Sequence, residues 1–170
     1  MVRRMAPAMI RLDPMTNDQF DHFRVESMKQ YAQEKKRGEG LSDVEANALA
    51  QTSFAELLPQ GLDTPQQHLW TLVEPSSGKA IGALWIQVRE KQSRKEAYIY
   101  DFVIHPSFRG QGYGRASLNA METWLIDHGV TRIGLHVFGH NHTARQLYGS
   151  MGYEATNLVM AKVLPFRSRT

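Results

Sequence analysis

Cysteine is absent from the 170 residues. This excludes disulfides, thiolate zinc centres and a cysteine nucleophile, and it suits a cytoplasmic protein. No apolar run is long enough to span a bilayer, so no membrane attachment is expected. Met1-Val2-Arg3-Arg4-Met5-Ala6-Pro7 carries basic residues without the apolar stretch of a signal peptide. A dense basic patch is also lacking. The formal net charge is +3, acidic residues are mixed among the basic ones, and Arg167 and Arg169 read as a solvated tail. Nucleic-acid binding is therefore not expected. The mild basic excess can instead help to hold an anionic cofactor. With no repeat, linker or low-complexity tract, the chain reads as one domain over residues 1–170, its core spanning about 9–164.

What is present is a clear alternation of elements. Met9-Ile10-Arg11-Leu12 is a short strand candidate stopped by Asp13-Pro14. Thr16-Asn17-Asp18-Gln19 and Ser42-Asp43-Val44-Glu45 have the form of capping boxes, each opening a helix. The first helix is expected to end before Gly38-Glu39-Gly40, and the second to run through Leu57-Leu58. Three strands follow, at Leu69–Val73, Ala80–Val88 and Ala97–Ile104, with Arg89 to Lys95 as a polar turn. Short connections make these neighbours antiparallel. A helix is expected from about Tyr113 to Asp127, then a strand at Arg132–Phe138. A short helix capped by Asn141 comes next, and a last strand at Tyr153–Leu164. The order β-α-α-β-β-β-α-β-α-β describes an α+β fold, a mixed sheet flanked by helices.

The most specific stretch is Ile104-His105-Pro106-Ser107-Phe108-Arg109-Gly110-Gln111-Gly112-Tyr113-Gly114-Arg115, which reads as strand, glycine loop, helix. Backbone N–H groups at a helix start favour an anion, and glycines let a phosphate approach closely. Arg109 and Arg115 add positive charge. The dinucleotide fingerprint fails because Arg115 stands three residues after Gly112, and no Gly-Lys-Ser/Thr follows as a mononucleotide loop requires. The pattern Arg109-x-x-Gly112-x-Gly114 resembles the acetyl-CoA pyrophosphate loop of the GNAT superfamily of N-acetyltransferases. The segment Asn141-x-x-Ala144-x-x-Leu147-Tyr148-x-x-x-Gly152-Tyr153 is similar to a second signature of that family, with Tyr153 in place of Phe. The element order is similar too, across almost the whole chain.

The resemblance implies transfer of an acetyl group from acetyl-CoA to a primary amine of a small molecule or protein, by direct attack in a ternary complex. It implies that Phe102, Val103 and Ile104 pair with the pantetheine arm as an added strand would. Arg109, Gly110, Gln111, Gly112, Tyr113, Gly114 and Arg115 are then expected at the pyrophosphate, and Asn141 at the cofactor. Tyr148 matches the family's general acid, and Asp101 a common acidic position. A lysine-like amine with a pKa of about 10.4 is almost wholly charged at pH 7, so a base is useful. Glu96 is the alternative base. It lies on the opposite face of a regular strand from Asp101, and the two exclude one another unless a bulge intervenes. A non-catalytic acyl-CoA-binding module is the alternative function. His136, His140 and His142 have no carboxylate or thiolate at ligand spacing, so no metal is expected. Trp70 and Trp85 are expected in the core. The acceptor is not legible, and the chain is expected to be a monomer or homodimer.

Overall fold

The computed structural model describes residues 9–165; the amino-terminal basic stretch and the tail with Arg167 and Arg169 lie outside the described residues. Five strands form one sheet in the order β1-β2-β3-β4-β5. They are β1 (Arg11–Pro14), β2 (Gln67–Glu74), β3 (Lys79–Lys91), β4 (Arg94–Ile104) and β5 (Val130–Leu135). The first four are antiparallel neighbours, and β5 runs parallel to β4. Four helices complete the fold: α1 (Asn17–Glu39), α2 (Asp43–Leu57), α3 (Tyr113–Asp127) and α4 (His142–Ser150).

Local chemistry sets the helix bounds. Thr16 and Ser42 each accept from the backbone at N3 while Gln19 and Glu45 reach back, so both capping boxes form. The first helix runs past its expected end before Gly38, through Glu39, and stops at Gly40, whose φ of 69° is the left-handed conformation that glycine adopts without penalty. Each face of the sheet buries its own cluster. On one side Leu72, Ile81, Leu84 and Ile86 meet Leu118, Met121 and Leu125 of α3. On the other, Leu69, Ala83 and Trp85 meet Phe23 of α1 and Phe54 of α2. Trp70 and Trp85 are both buried, as core residues should be.

Several boundaries differ from expectation, each for a physical reason. The strand β1 lies two residues later and includes Pro14, which an edge strand tolerates because its N–H is not needed. The polar turn at Arg89 to Lys95 is a tight hairpin instead. Strands β3 and β4 pair as far as Lys91 and Arg94, and only Gln92 and Ser93 turn, both at positive φ. Two positive φ values give a primed turn that matches strand twist, here without the usual Asn-Gly. The strand expected at Arg132–Phe138 is Val130–Leu135. Residues 153–164, read as a sixth strand, are not strand and join no ladder among the described residues.

One close approach fixes the end of β4. Gly82 pairs with Ile104, and a Cβ at Gly82 would stand 2.1 Å from the carbonyl oxygen of Val103. That obstacle is backbone within a ladder and cannot swing aside. Gly82→Ala is therefore expected to lower stability by about 1–3 kcal/mol or more in urea denaturation. Gly139→Ala meets open space and should stay within about 0.5 kcal/mol of wild type.

Candidate active site

The site is built where β4 and β5 part. Their parallel pairing runs from Lys95↔Val130 to Ile99↔Leu135 and stops. On its other side β4 stays paired with β3 as far as Ile104. Residues 100–104 of β4 therefore present one edge to β3 and leave the other without a strand partner. The chain after β5 is held elsewhere. Phe138 lies against Gly38 at the end of α1, where a Cβ would sit 3.4 Å from its ring. His140 Nε2 contacts Glu34 Oε2 of α1 at 2.5 Å. These two anchors draw the strand exit toward α1 and account for the early end of β5.

A bulge sits in β4 at the same place. Ile99 pairs with Ile86 and Asp101 with Trp85, which leaves Tyr100 as the extra residue. A bulge reverses the alternation beyond it. Asp101 thus shares a face with Glu96, whose partner Arg89 stands four residues from Trp85 on β3. The exclusion drawn for a regular strand does not hold. The two carboxylates still differ in surroundings. Glu96 lies at the other end of β4, 3.9 Å from Arg132. Asp101 faces α1 and accepts a hydrogen bond from the Ser27 hydroxyl.

Burial pushes the Asp101 carboxyl above its usual range, while the hydrogen bonds from Ser27 and from the Phe102 N–H pull it partly back. The phenol of Tyr148 is raised to about 12, first by burial and then by the nearby negative charge of Asp101. Asp101 and Tyr148, 47 residues apart in the chain, thus lie close enough for the charge of one to act on the other. Tyr148 comes from α4. Asn141 caps that helix, accepting from the Ala144 N–H at 3.1 Å. Its amide oxygen is therefore engaged in structure.

Next to the parted strands lies the start of α3. The other three helices begin with a side-chain cap from Thr16, Ser42 or Asn141; α3 begins with Gly112 and has none. Gly112 holds φ 86° and Gly110 φ 71°, conformations that a side chain would strain. The N–H groups of Gly110 through Arg115 find no protein acceptor among the described residues. An uncapped helix start with free amides and no acidic residue in its first turn fits an anion such as a pyrophosphate.

The side chains around this loop are placed less as the motif suggested. Arg109 Nε donates to the Ile104 carbonyl at 2.8 Å, folding back on the strand end. Arg115 Nη2 donates to Ser150 Oγ of α4 at 2.6 Å, so it ties two helices together. Gly114 has a packing reason, since a Cβ there would meet Leu147 at 3.1 Å. The Tyr113 hydroxyl donates to Glu74 at the β2–β3 turn, clasping the helix start to the sheet. No group of three metal-ligating side chains occurs among the described residues.

Ser27, Glu34, Gly38 and Gly82 are the residues that sequence reasoning missed. One of them left a signal. Ser27 stands four residues after Phe23, on the inward stripe of α1, and is buried with it. A polar residue on an apolar stripe calls for a partner.

Comparison with known proteins identifies the family. Residues 26–153 match the model of the acetyltransferase (GNAT) family. The chain is 37% identical over 155 residues to the uncharacterized N-acetyltransferase YycN of Bacillus subtilis (strain 168), covering 91% of this chain and 99% of that protein. It is 32% identical over 153 residues to the uncharacterized N-acetyltransferase YdgE of the same organism, covering 90% and 97%. The crystal structure of YycN superposes with a TM-score of 0.87 over 92% of this chain and 99% of that one.

The raised pKa of Asp101 has a stability consequence with a definite sign. Its neutral form is the one favoured by folding. The contribution is full below the ordinary value of 3.8 and is lost as pH rises through the folded value. Asp101→Asn, neutral at every pH and able to accept from Ser27, should match wild type in Tm at low pH and exceed it at pH 8. A variant less stable than wild type at pH 8 would show that the ionised carboxylate is not strained by burial. From loop, strand edge and sequence alike, the chain belongs to the GNAT acetyltransferase family.

Proposed function

We propose that this protein is an acetyl-CoA-dependent N-acetyltransferase, acting on a primary amine of a small molecule or protein by direct attack in a ternary complex. The observation that carries the reading is the uncapped start of α3, with its free N–H groups, beside the edge of β4 left open where its pairing with β5 ends.

Acetyl-CoA, when bound, supplies an acetyl thioester. The free N–H groups from Gly110 to Arg115 would hold its pyrophosphate. The open edge of β4 at Phe102, Val103 and Ile104 would pair with the amides of its pantetheine arm, as an added strand does. Asn141 offers its amide nitrogen from the α4 start. The amine nitrogen attacks the thioester carbonyl carbon and the carbon–sulfur bond breaks. Asp101, directly or through one water, takes the proton that the amine gives up. Its raised pKa makes it a better base than an ordinary aspartate, because a useful base lies near the working pH.

Tyr148 stays protonated at neutral pH. A phenol held at about 12 facing a thiol of about 8.5 is the weaker acid, so full proton transfer to sulfur is uphill. The role that follows is a hydrogen bond to the charge developing on the sulfur, which strengthens only as the bond breaks. The thiolate then leaves and takes its proton from solvent.

Release of free thiol from acetyl-CoA, measured over a library of amines, tests the reading. Saturable turnover with at least one amine class is expected. Tyr148→Phe should lower kcat by about 10²-fold or more and leave acetyl-CoA affinity unchanged. Tight binding of acetyl-CoA without turnover on any amine would favour a binding module instead. Ser27→Ala removes a hydrogen bond that lowers the Asp101 pKa, so the acidic limb of kcat against pH should move to higher pH. An unmoved limb would take Asp101 out of the rate.

A further inference from the structure

The face of the sheet turned to α1 and α2 is only partly covered. Trp85 lies buried beneath Phe23 and Phe54. From there toward the β3–β4 hairpin the cover ends: Gln87, Tyr98 and Tyr100 are half-buried, and Arg89, Lys91, Arg94 and Arg132 are exposed. Cross-strand partners share a face. Gln87 pairs with Tyr98 and Arg89 with Glu96, while Tyr98 and Glu96 have Gly134 and Arg132 as partners on β5. All of these therefore look the same way as Asp101.

This open face has two zones. Next to Asp101 is an aromatic floor, where the Tyr100 ring centroid lies 4.8 Å from that of Trp85 and 4.9 Å from that of Tyr98. The Tyr98 hydroxyl has no hydrogen-bond partner among the described residues, whereas that of Tyr100 donates to Gln87 at 3.3 Å. Beside Tyr98, Gly134 leaves the floor clear; a Cβ there would stand 3.5 Å from the Tyr98 ring. At the hairpin end the floor becomes charged. Strand pairing gathers Arg89, Lys91, Arg94 and Arg132, which the sequence scatters, around the carboxylate of Glu96. Glu96 lies 3.9 Å from Arg132, and the other three cations have no acidic partner among the described residues. A cleft of about 330 Å³ opens between Arg94, Glu96, Thr131 and Arg132.

We propose that this face seats the acceptor and that the acceptor is an acidic peptide. The inference rests on the acetyl-transfer reading, which sets the amine at Asp101. Trp85, the partner of Asp101, and Arg89, the partner of Glu96, are four residues apart on β3, about 13 Å at about 3.3 Å per residue. A single amino acid does not reach that far from its own amine. An extended peptide does so in about four residues. Its first side chains lie on the tyrosine rings, and the free Tyr98 hydroxyl is placed to donate to its backbone. A carboxylate near its fifth residue enters the cleft, where the excess of cations favours it and arginine can pair it through two parallel N–H groups.

Peptides with a free amino-terminus that differ only at the fifth residue (Glu, Gln or Lys) test it, by thiol release from acetyl-CoA with the full chain. The Glu peptide should exceed the Gln peptide in kcat/KM by about 10-fold, and the Lys peptide by more. The difference should lie in KM and should shrink in about 0.5 M salt. In the double variant Arg94→Gln, Arg132→Gln the Glu peptide should fall to the level of the Gln peptide. Equal rates for the three peptides would overturn the proposal, as would an acidic preference that the double variant keeps. Binding gives a readout apart from turnover: the amide signals of Tyr98, Gly134 and Arg132 should shift as the Glu peptide is added, and less with the Lys peptide. If they shift and no amine of any kind is acetylated, the acetyl-transfer reading fails and the acidic-peptide surface stands. If small amines are acetylated and no peptide is, that reading stands and this proposal falls. Tighter binding of a single-stranded oligonucleotide than of the Glu peptide at these amides would also overturn it.

Discussion

The parting of two parallel strands is the constraint on which the rest of this structure depends. Pairing of β4 with β5 ends at Ile99↔Leu135, while β4 continues on β3 to Ile104. An unpaired strand edge inside a domain carries backbone groups that need partners. The fold tolerates it because both flanks are fixed independently. Phe138 against Gly38 and His140 on Glu34 hold the β5 exit to α1. Gly82, which has no room for a side chain, keeps the end of β4 tight on β3. The gap is therefore a built opening, held from both sides.

The same opening explains the electrostatics. Asp101 reaches the α1 face only because Tyr100 is an extra residue in the strand. There it is buried enough to be raised in pKa and is kept in place by Ser27. Its charge in turn raises the phenol of Tyr148. In the acetyl transfer proposed above, one of these groups would take a proton and the other would keep it. The uncapped start of α3 adds the third need, a place for an anion, within the loop that directly continues β4.

Much of this was legible in the chain. The capping boxes at Thr16 and Ser42 and the glycines at Gly112 and Gly129 state helix bounds in short-range chemistry, and those bounds held. The loop and the Asn141–Tyr153 segment led to the family by resemblance. What was not legible depends on tertiary contacts. The Tyr100 bulge carries no glycine to mark it, and the Gln92-Ser93 hairpin lacks the usual turn pair. The end of β5 is set by Phe138 and His140 meeting a helix a hundred residues earlier. Residues 153–164 read as a strand because their composition is a strand's, yet among the described residues they join no ladder. The Arg115 guanidinium, expected at the pyrophosphate by position, donates to Ser150 of the neighbouring helix, a contact that tertiary packing alone decides.

The central claim is that the parted strand and the uncapped helix start together form the acetyl-CoA site. Amide chemical shifts of the full chain, followed by NMR as acetyl-CoA is added, test it residue by residue. The account predicts that the N–H groups of Gly110 to Arg115 and of the β4 edge at Phe102 to Ile104 shift together on one saturable curve. Saturable binding that leaves both stretches unmoved and shifts amides elsewhere would contradict it.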